Sequence, residues 1–108
     1  MIERPFVHPQ PWLDDIAFSG FLPAHPYVRR YWTALIGPGA VADLLRLTVA
    51  AVRGTSLRRP VHIEILAREG LVAAAGNALL VRPTVPALSP ANRRRLPSSL
   101  RAELEAQQ

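Results

Sequence analysis

Pro60-Val61-His62-Ile63-Glu64-Ile65-Leu66-Ala67-Arg68-Glu69-Gly70-Leu71-Val72-Ala73-Ala74-Ala75-Gly76-Asn77-Ala78-Leu79-Leu80-Val81-Arg82 is the stretch on which the fold turns. Its first half reads two ways. As a helix it carries proline in the first turn, sets Glu64 four residues before Arg68 and closes on Gly70. As a strand it alternates Val61, Ile63 and Ile65 against His62 and Glu64, with β-branched residues on one face. The helix is favoured, because Leu66-Ala67-Arg68-Glu69 are good helix formers followed by glycine. The strand alternative makes a three-stranded meander of 61–66, 71–75 and 78–82. The second half has one reading. Leu71–Ala75 and Ala78–Arg82 flank Gly76-Asn77, a β-hairpin whose two-residue turn needs the positive φ that Gly and Asn accept. Pro83 and Pro86 confine the second strand to an edge or end it.

Outward from this stretch, residues 40–53 predict a helix ending at Gly54. Asp43, Arg46 and Arg53 form its narrow polar stripe, and almost everything else is Val, Leu or Ala. A helix apolar over so much of its circumference is either the central core helix or half of a subunit interface. An earlier helix runs from Pro26 to Ile36, with Val28, Tyr31, Trp32 and Leu35 spaced as one buried face. Before it, residues 1–25 read as an extended arm. Pro5, Pro9, Pro11, Pro23 and Pro26 recur too often for a helix or a paired strand, although residues 12–18 allow one or two helical turns with Asp14 and Asp15 as caps. After the hairpin, Ser89-Pro90 predicts a capped helix start, Pro97 a break, and Ser98 or Ser99 to Glu105 a last short helix.

The 108 residues suffice for one core that removes roughly two-thirds of the unfolded chain's surface from water. All thirteen basic residues are Arg, against eight acids, a net charge of +5, and cysteine is absent. Arginine in place of lysine accords with a GC-rich coding sequence, so its abundance is only partly a recognition signal. The absences exclude disulfides, thiolate nucleophiles, zinc sites of the cysteine type, Schiff-base lysines and the phosphate-binding loop that ends in lysine. All seven aromatics, Phe6, Trp12, Phe18, Phe21, Tyr27, Tyr31 and Trp32, fall in the first 32 positions. Charge divides in the same sense, −2 over residues 1–25 and +7 over 26–108. The start lacks an apolar signal segment and no stretch is long enough to span a bilayer, so a cytoplasmic location without membrane contact is expected.

Over residues 60–82, a helix ending Leu66-Ala67-Arg68-Glu69-Gly70-Leu71-Val72 and a hairpin tipped by Gly76-Asn77 resemble the recognition helix and wing of winged-helix DNA-binding domains. The resemblance covers about a quarter of the chain and departs from the family in the length and apolarity of the helix 40–53. It implies that the segment from Pro60 enters a major groove while the hairpin touches the flanking backbone. His62 and Arg68 then become groove or phosphate contacts, Arg58 and Arg59 stand just before the helix, Arg82 lies on the wing, and Arg93, Arg94 and Arg95 add phosphate contacts. The expected fold is accordingly α+β: a small single domain of two or three helices with a short antiparallel hairpin, winged-helix-like, and an extended aromatic arm. Its parts are the arm 1–25, the core 26–88 and a basic helical tail 89–108.

His8, His25 and His62 lack ligand-like spacing, adjacent Asp14 and Asp15 point apart in an extended segment, and no serine lies in a nucleophile motif. The chain is therefore read as a non-enzymatic DNA-binding protein, a regulator of transcription. No cofactor, metal or small-molecule substrate is expected, and the helix 40–53 is the expected homodimer contact. The alternative is an adaptor or assembly subunit whose arm residues Trp12, Phe18 and Phe21, with the same apolar helix, anchor a protein partner. Tyr27, Arg29, Arg30, Tyr31 and Trp32 also resemble an aromatic and basic surface on which bases stack, although helical spacing turns Tyr31 and Trp32 inward.

Overall fold

The structure, a computed structural model, describes residues 6–13 and 20–107. Two short strands come first, β1 (Phe6–Val7) and β2 (Pro9–Pro11). A π-helical segment, Val28–Trp32, then runs into one α-helical turn, α1 (Thr33–Ile36). The long helix α2 (Pro38–Arg53) is followed by β3 (Leu57–Arg58), α3 (Ile63–Arg68), the hairpin strands β4 (Val72–Ala75) and β5 (Ala78–Val81), and the helices α4 (Pro90–Arg94) and α5 (Ser98–Ala106). The chain is thus a small α+β domain, and residues 63–68 are helix. Ser89 caps α4 by accepting from the Asn92 N–H at 3.1 Å, and Pro97 separates α4 from α5. Among the described residues no helix is long and apolar enough to cross a membrane.

The hairpin has the expected register, with Ala75 opposite Ala78 across the two-residue turn. Only Gly76 takes a positive φ, 60°, which is the pattern of a type II′ turn and leaves Asn77 on the ordinary side. β5 is nevertheless the central strand of a three-stranded sheet, ordered β2-β5-β4, and it ends before Pro83. β2 pairs parallel to it, Pro9 opposite Leu79 and Pro11 opposite Val81. The expectation that prolines keep this segment unpaired is corrected by the ladder's own alternation. Leu79 N–H donates to the His8 carbonyl at 3.0 Å and Trp12 N–H to the Val81 carbonyl at 2.8 Å, so the bonding residues flank the prolines. Alternate residues face the partner strand, and both prolines turn their nitrogens away from it. β1 pairs with β3, and Phe21 bridges Val85 through reciprocal bonds of 2.8 and 2.7 Å. The described parts of the arm therefore pair with the chain's own body. Phe18, Asp14 and Asp15 lie outside the described residues.

α2 packs against β2, β5, α1, α3 and the π-helical segment, so it is the core helix. Its buried face is Ala40, Val41, Asp43, Leu44, Leu47, Ala50 and Ala51. Leu44 and Leu47 meet Val28, Trp32, Leu66, Leu71 and Val81 in one apolar cluster, each side chain of this size contributing about 1.5–3 kcal/mol by burial. Asp43, expected on a polar stripe with Arg46 and Arg53, is buried instead. The open side of α2 carries Ala42, half-buried Leu45, Val49 and Val52. In the first helix the buried set is Val28, Tyr31, Trp32 and Ile36, with Leu35 only half-buried. A π turn holds more residues than an α turn, so the inward position slips from Leu35 to Ile36. Trp32 also donates its indole N–H to the Pro86 carbonyl at 2.9 Å.

Candidate functional site

α3 has six residues and is about 9 Å long at the α-helical rise. Ile63 and Leu66 are its buried side, while Val61 just before it and Glu64, Ala67 and Arg68 on it are exposed. Residues 54–62 separate it from α2, a connection of nine residues that includes β3. The turn of a helix-turn-helix is three to four residues, so the link between these helices is wider than that motif's.

Asp43 fixes where α3 begins. Its Oδ2 accepts from the His62 backbone N–H at 3.1 Å and from the His62 ring Nδ1 at 2.9 Å, and its Oδ1 accepts from Arg46. A carboxylate only accepts, so Nδ1 carries the proton of that bond. The backbone bond satisfies one of the donors that a helix start leaves without an intrahelical partner, here from a residue on another helix. Burial is the largest single influence on Asp43 and opposes its charge, but the bonds from His62 and Arg46 together outweigh it and hold the carboxyl below its ordinary 3.8. Gly39 makes room for the ring: a Cβ there would stand 2.6 Å from His62 Cε1. Asp43 was not singled out from sequence as a site residue. Its spacing was the available signal, since positions 43, 47 and 50 share one helix face and the last two are apolar.

Around this anchored helix the arginines separate into two groups. Arg58 is exposed in β3 opposite Phe6. Arg59 lines a hollow of about 290 Å³ together with Ile63 of α3, His8, and the hairpin tip Gly76-Asn77. Arg68 is exposed at the end of α3, and Arg94 is exposed on α4. None of Arg58, Arg59, Arg68 and Arg94 makes an ion pair or side-chain hydrogen bond among the described residues.

The other candidates are engaged. His62 is tied to Asp43 through Nδ1, with its side chain 39% exposed. Arg82 is half-buried where the hairpin leaves β5, its backbone N–H on the Leu71 carbonyl at 3.0 Å, and burial holds its guanidinium below its usual range. Arg95 donates to Asn92 at 2.9 Å and pairs with Glu69 at 3.4 Å, which ties α4 to the end of α3. Arg93 turns to a different cavity, beside Phe21 and Tyr27. Phe21 is half-buried against the core, and Trp12 is half-buried with its backbone N–H on the Val81 carbonyl.

Chemically, the first group is a set of guanidinium donors without an acidic partner among the described residues, of which Arg59 stands beside the hairpin tip and the first turn of α3. Such donors suit phosphate oxygens, which they bind through paired N–H groups. Glu64 on the outer side of α3 is the one acid among these exposed helix positions. Compared with family models, with curated proteins and with solved structures, the chain finds no match in any of the three.

Proposed function

We propose that this chain binds duplex DNA in the cytoplasm, without a cofactor, and regulates transcription from there. The face it uses is the residue 57–60 connector, the outer side of α3 and the hairpin tip. One observation carries the reading: Arg59, the first turn of α3 and Gly76-Asn77 border a single hollow, and Arg59, like Arg58 before it and Arg68 at the end of α3, has no acidic partner among the described residues. Arg58 and Arg59, before the start of the helix, and Arg68, in its last turn, hold phosphates. These contacts position the chain and carry no sequence information themselves. Glu64 is the side chain available to accept from a cytosine amino group. A helix about 9 Å long offers few base contacts, so the proposal entails modest sequence preference.

The test is a fluorescence-anisotropy titration of a labelled duplex of about 20 base pairs. With three phosphate contacts the logarithm of affinity falls with the logarithm of salt at a slope of about −3. A chain that leaves the duplex unbound even at low salt is not a DNA-binding protein of this kind.

A second reading rests on the open side of α2. Ala42, Leu45, Val49 and Val52 recur at three- and four-residue intervals, the spacing of a coiled-coil seam. A second copy of the chain is the occupant such a seam fits, and the resulting homodimer presents two DNA faces. On this reading Val49→Arg converts dimer to monomer in analytical ultracentrifugation, because the new charge stands beside Arg46 and Arg53 and cannot be buried unpaired at the seam. A wild-type chain that stays monomeric at high concentration excludes it.

A further inference from the structure

Phe21, His25, Tyr27 and Tyr31 line one wall of a cavity of about 520 Å³. Phe21 and Tyr27 are stacked, with ring centroids 4.1 Å apart and planes 13° from parallel. His25 tilts against Phe21 at 4.8 Å and Tyr31 against Tyr27 at 5.0 Å. The polar groups of this wall are mostly engaged. The Tyr31 hydroxyl donates to Glu103 at 2.8 Å, and the Tyr27 hydroxyl accepts from the Leu88 N–H at 3.0 Å. Arg30 grips the same Glu103 with Nε at 2.5 Å and Nη2 at 2.7 Å, so those two charges cancel.

Arg93 is different. It lines the cavity from α4, and its Nε is buried with no hydrogen-bond partner among the described residues. That Nε has almost no accessible surface, so a ligand in the cavity meets the rest of the guanidinium, which has no acidic partner among the described residues and suits an anion. An adjoining hollow of about 470 Å³ shares Pro26 and Arg30 with the cavity and adds Arg29, which is exposed and makes no ion pair among the described residues. The cavity therefore combines an aromatic wall with Arg93, and its neighbour adds Arg29, neither arginine having an acidic partner among the described residues; the cavity's volume is within the range of small-molecule pockets.

We propose that this cavity binds a nucleotide, its base against the Phe21–Tyr27 wall and its phosphate on Arg93. An aliphatic anion leaves the aromatic wall unused, and an uncharged aromatic leaves the Arg93 charge uncompensated. A base joined to a phosphate satisfies both. The inference stands on the cavity and not on the proposed duplex face, which uses other arginines. The nucleotide is either free or the unpaired end of a strand, and the two sources share one chemistry.

The experiment is isothermal titration of the full chain with AMP, adenosine and the single-stranded trinucleotide pApApA, repeated on Arg93→Gln. AMP is expected to bind with Kd near or below about 1 mM, and Arg93→Gln to weaken it about tenfold with adenosine unchanged. An unchanged melting temperature shows that the variant is folded. Phe21→Leu is expected to weaken AMP and adenosine alike. Because Phe21 also packs on the core, the contrast between AMP and adenosine on Arg93→Gln is decisive. Tighter binding of pApApA supports the site with a strand end as its source, and tighter binding of AMP supports it with the free nucleotide. AMP left unbound at about 5 mM, or adenosine weakened as much as AMP by Arg93→Gln, overturns the proposal. A blunt duplex that binds without displacing AMP separates this site from the duplex face, so either can fail alone.

Discussion

Asp43→Ala is expected to lower the free energy of unfolding by about 2–3 kcal/mol and the melting temperature by about 10 °C or more. The substitution removes two bonds to His62 and one to Arg46, and it leaves the His62 backbone N–H without its acceptor at the start of α3. Arg46 is mostly exposed and returns to water, so the loss falls short of the 3–5 kcal/mol that follows when a charge is stranded in the interior. The pH dependence has a definite sign. Asp43 has a depressed pKa in the fold, so its stabilising contribution is complete above its ordinary value of 3.8 and is lost as pH falls through the lower folded value. Glu103, held low by Arg30 and then by Tyr31, runs in the same direction. Urea unfolding of wild type, Asp43→Ala and Asp43→Asn from pH 3 to 7 checks both points. The gap between wild type and Asp43→Asn should be constant above about pH 4 and narrow below it. An Asp43→Ala chain within about 0.5 kcal/mol of wild type would remove Asp43 from its role as the anchor of α3.

Local chemistry made several elements legible. Gly76-Asn77 between two apolar runs specified the hairpin and its register, and Ser89-Pro90 and Pro97 marked the two C-terminal helices. Pairing between distant segments left no such mark. Nothing local indicates that Pro9 and Pro11 join the hairpin, because an edge strand that supplies every second residue to its ladder tolerates proline at the others. The widened π turn hid the exchange of Leu35 for Ile36 in the core. Asp43 looked like part of a polar stripe because its partner, His62, lies at the far end of the nine-residue connection.

The candidate site was legible in the same uneven way. Arg58 and Arg59 stand out as a pair in a polar connector, and the fold keeps both exposed. Arg93, Arg94 and Arg95 look like one cluster in sequence, yet helical rotation of about 100° per residue separates them. Arg93 faces the aromatic cavity, Arg94 the solvent and Arg95 Glu69. The aromatic-basic pattern at Tyr27–Trp32 divides likewise: Trp32 is buried with its indole N–H on Pro86, while half-buried Tyr27 and buried Tyr31 belong to the cavity wall.

Replacing Arg58 and Arg59 together by alanine is expected to weaken duplex binding at low salt about 10- to 100-fold and to leave the fold intact. Both side chains are exposed and make no ion pair among the described residues, so their removal costs the isolated chain little. Each phosphate contact removed takes one released counterion from the binding equilibrium and flattens the salt dependence by about 0.9. The effect is thus specific in form: a change of slope, not only of affinity. Arg29→Ala, which removes an exposed arginine from the other hollow, provides the comparison, with its slope unchanged. The deciding measurement is the salt slope of duplex binding for wild type and the Arg58→Ala/Arg59→Ala chain, titrated side by side between about 50 and 200 mM salt. A slope near −3 that falls to near −1 is the expected result; equal slopes in the two chains, or a wild type that binds no duplex, would contradict the proposed interface.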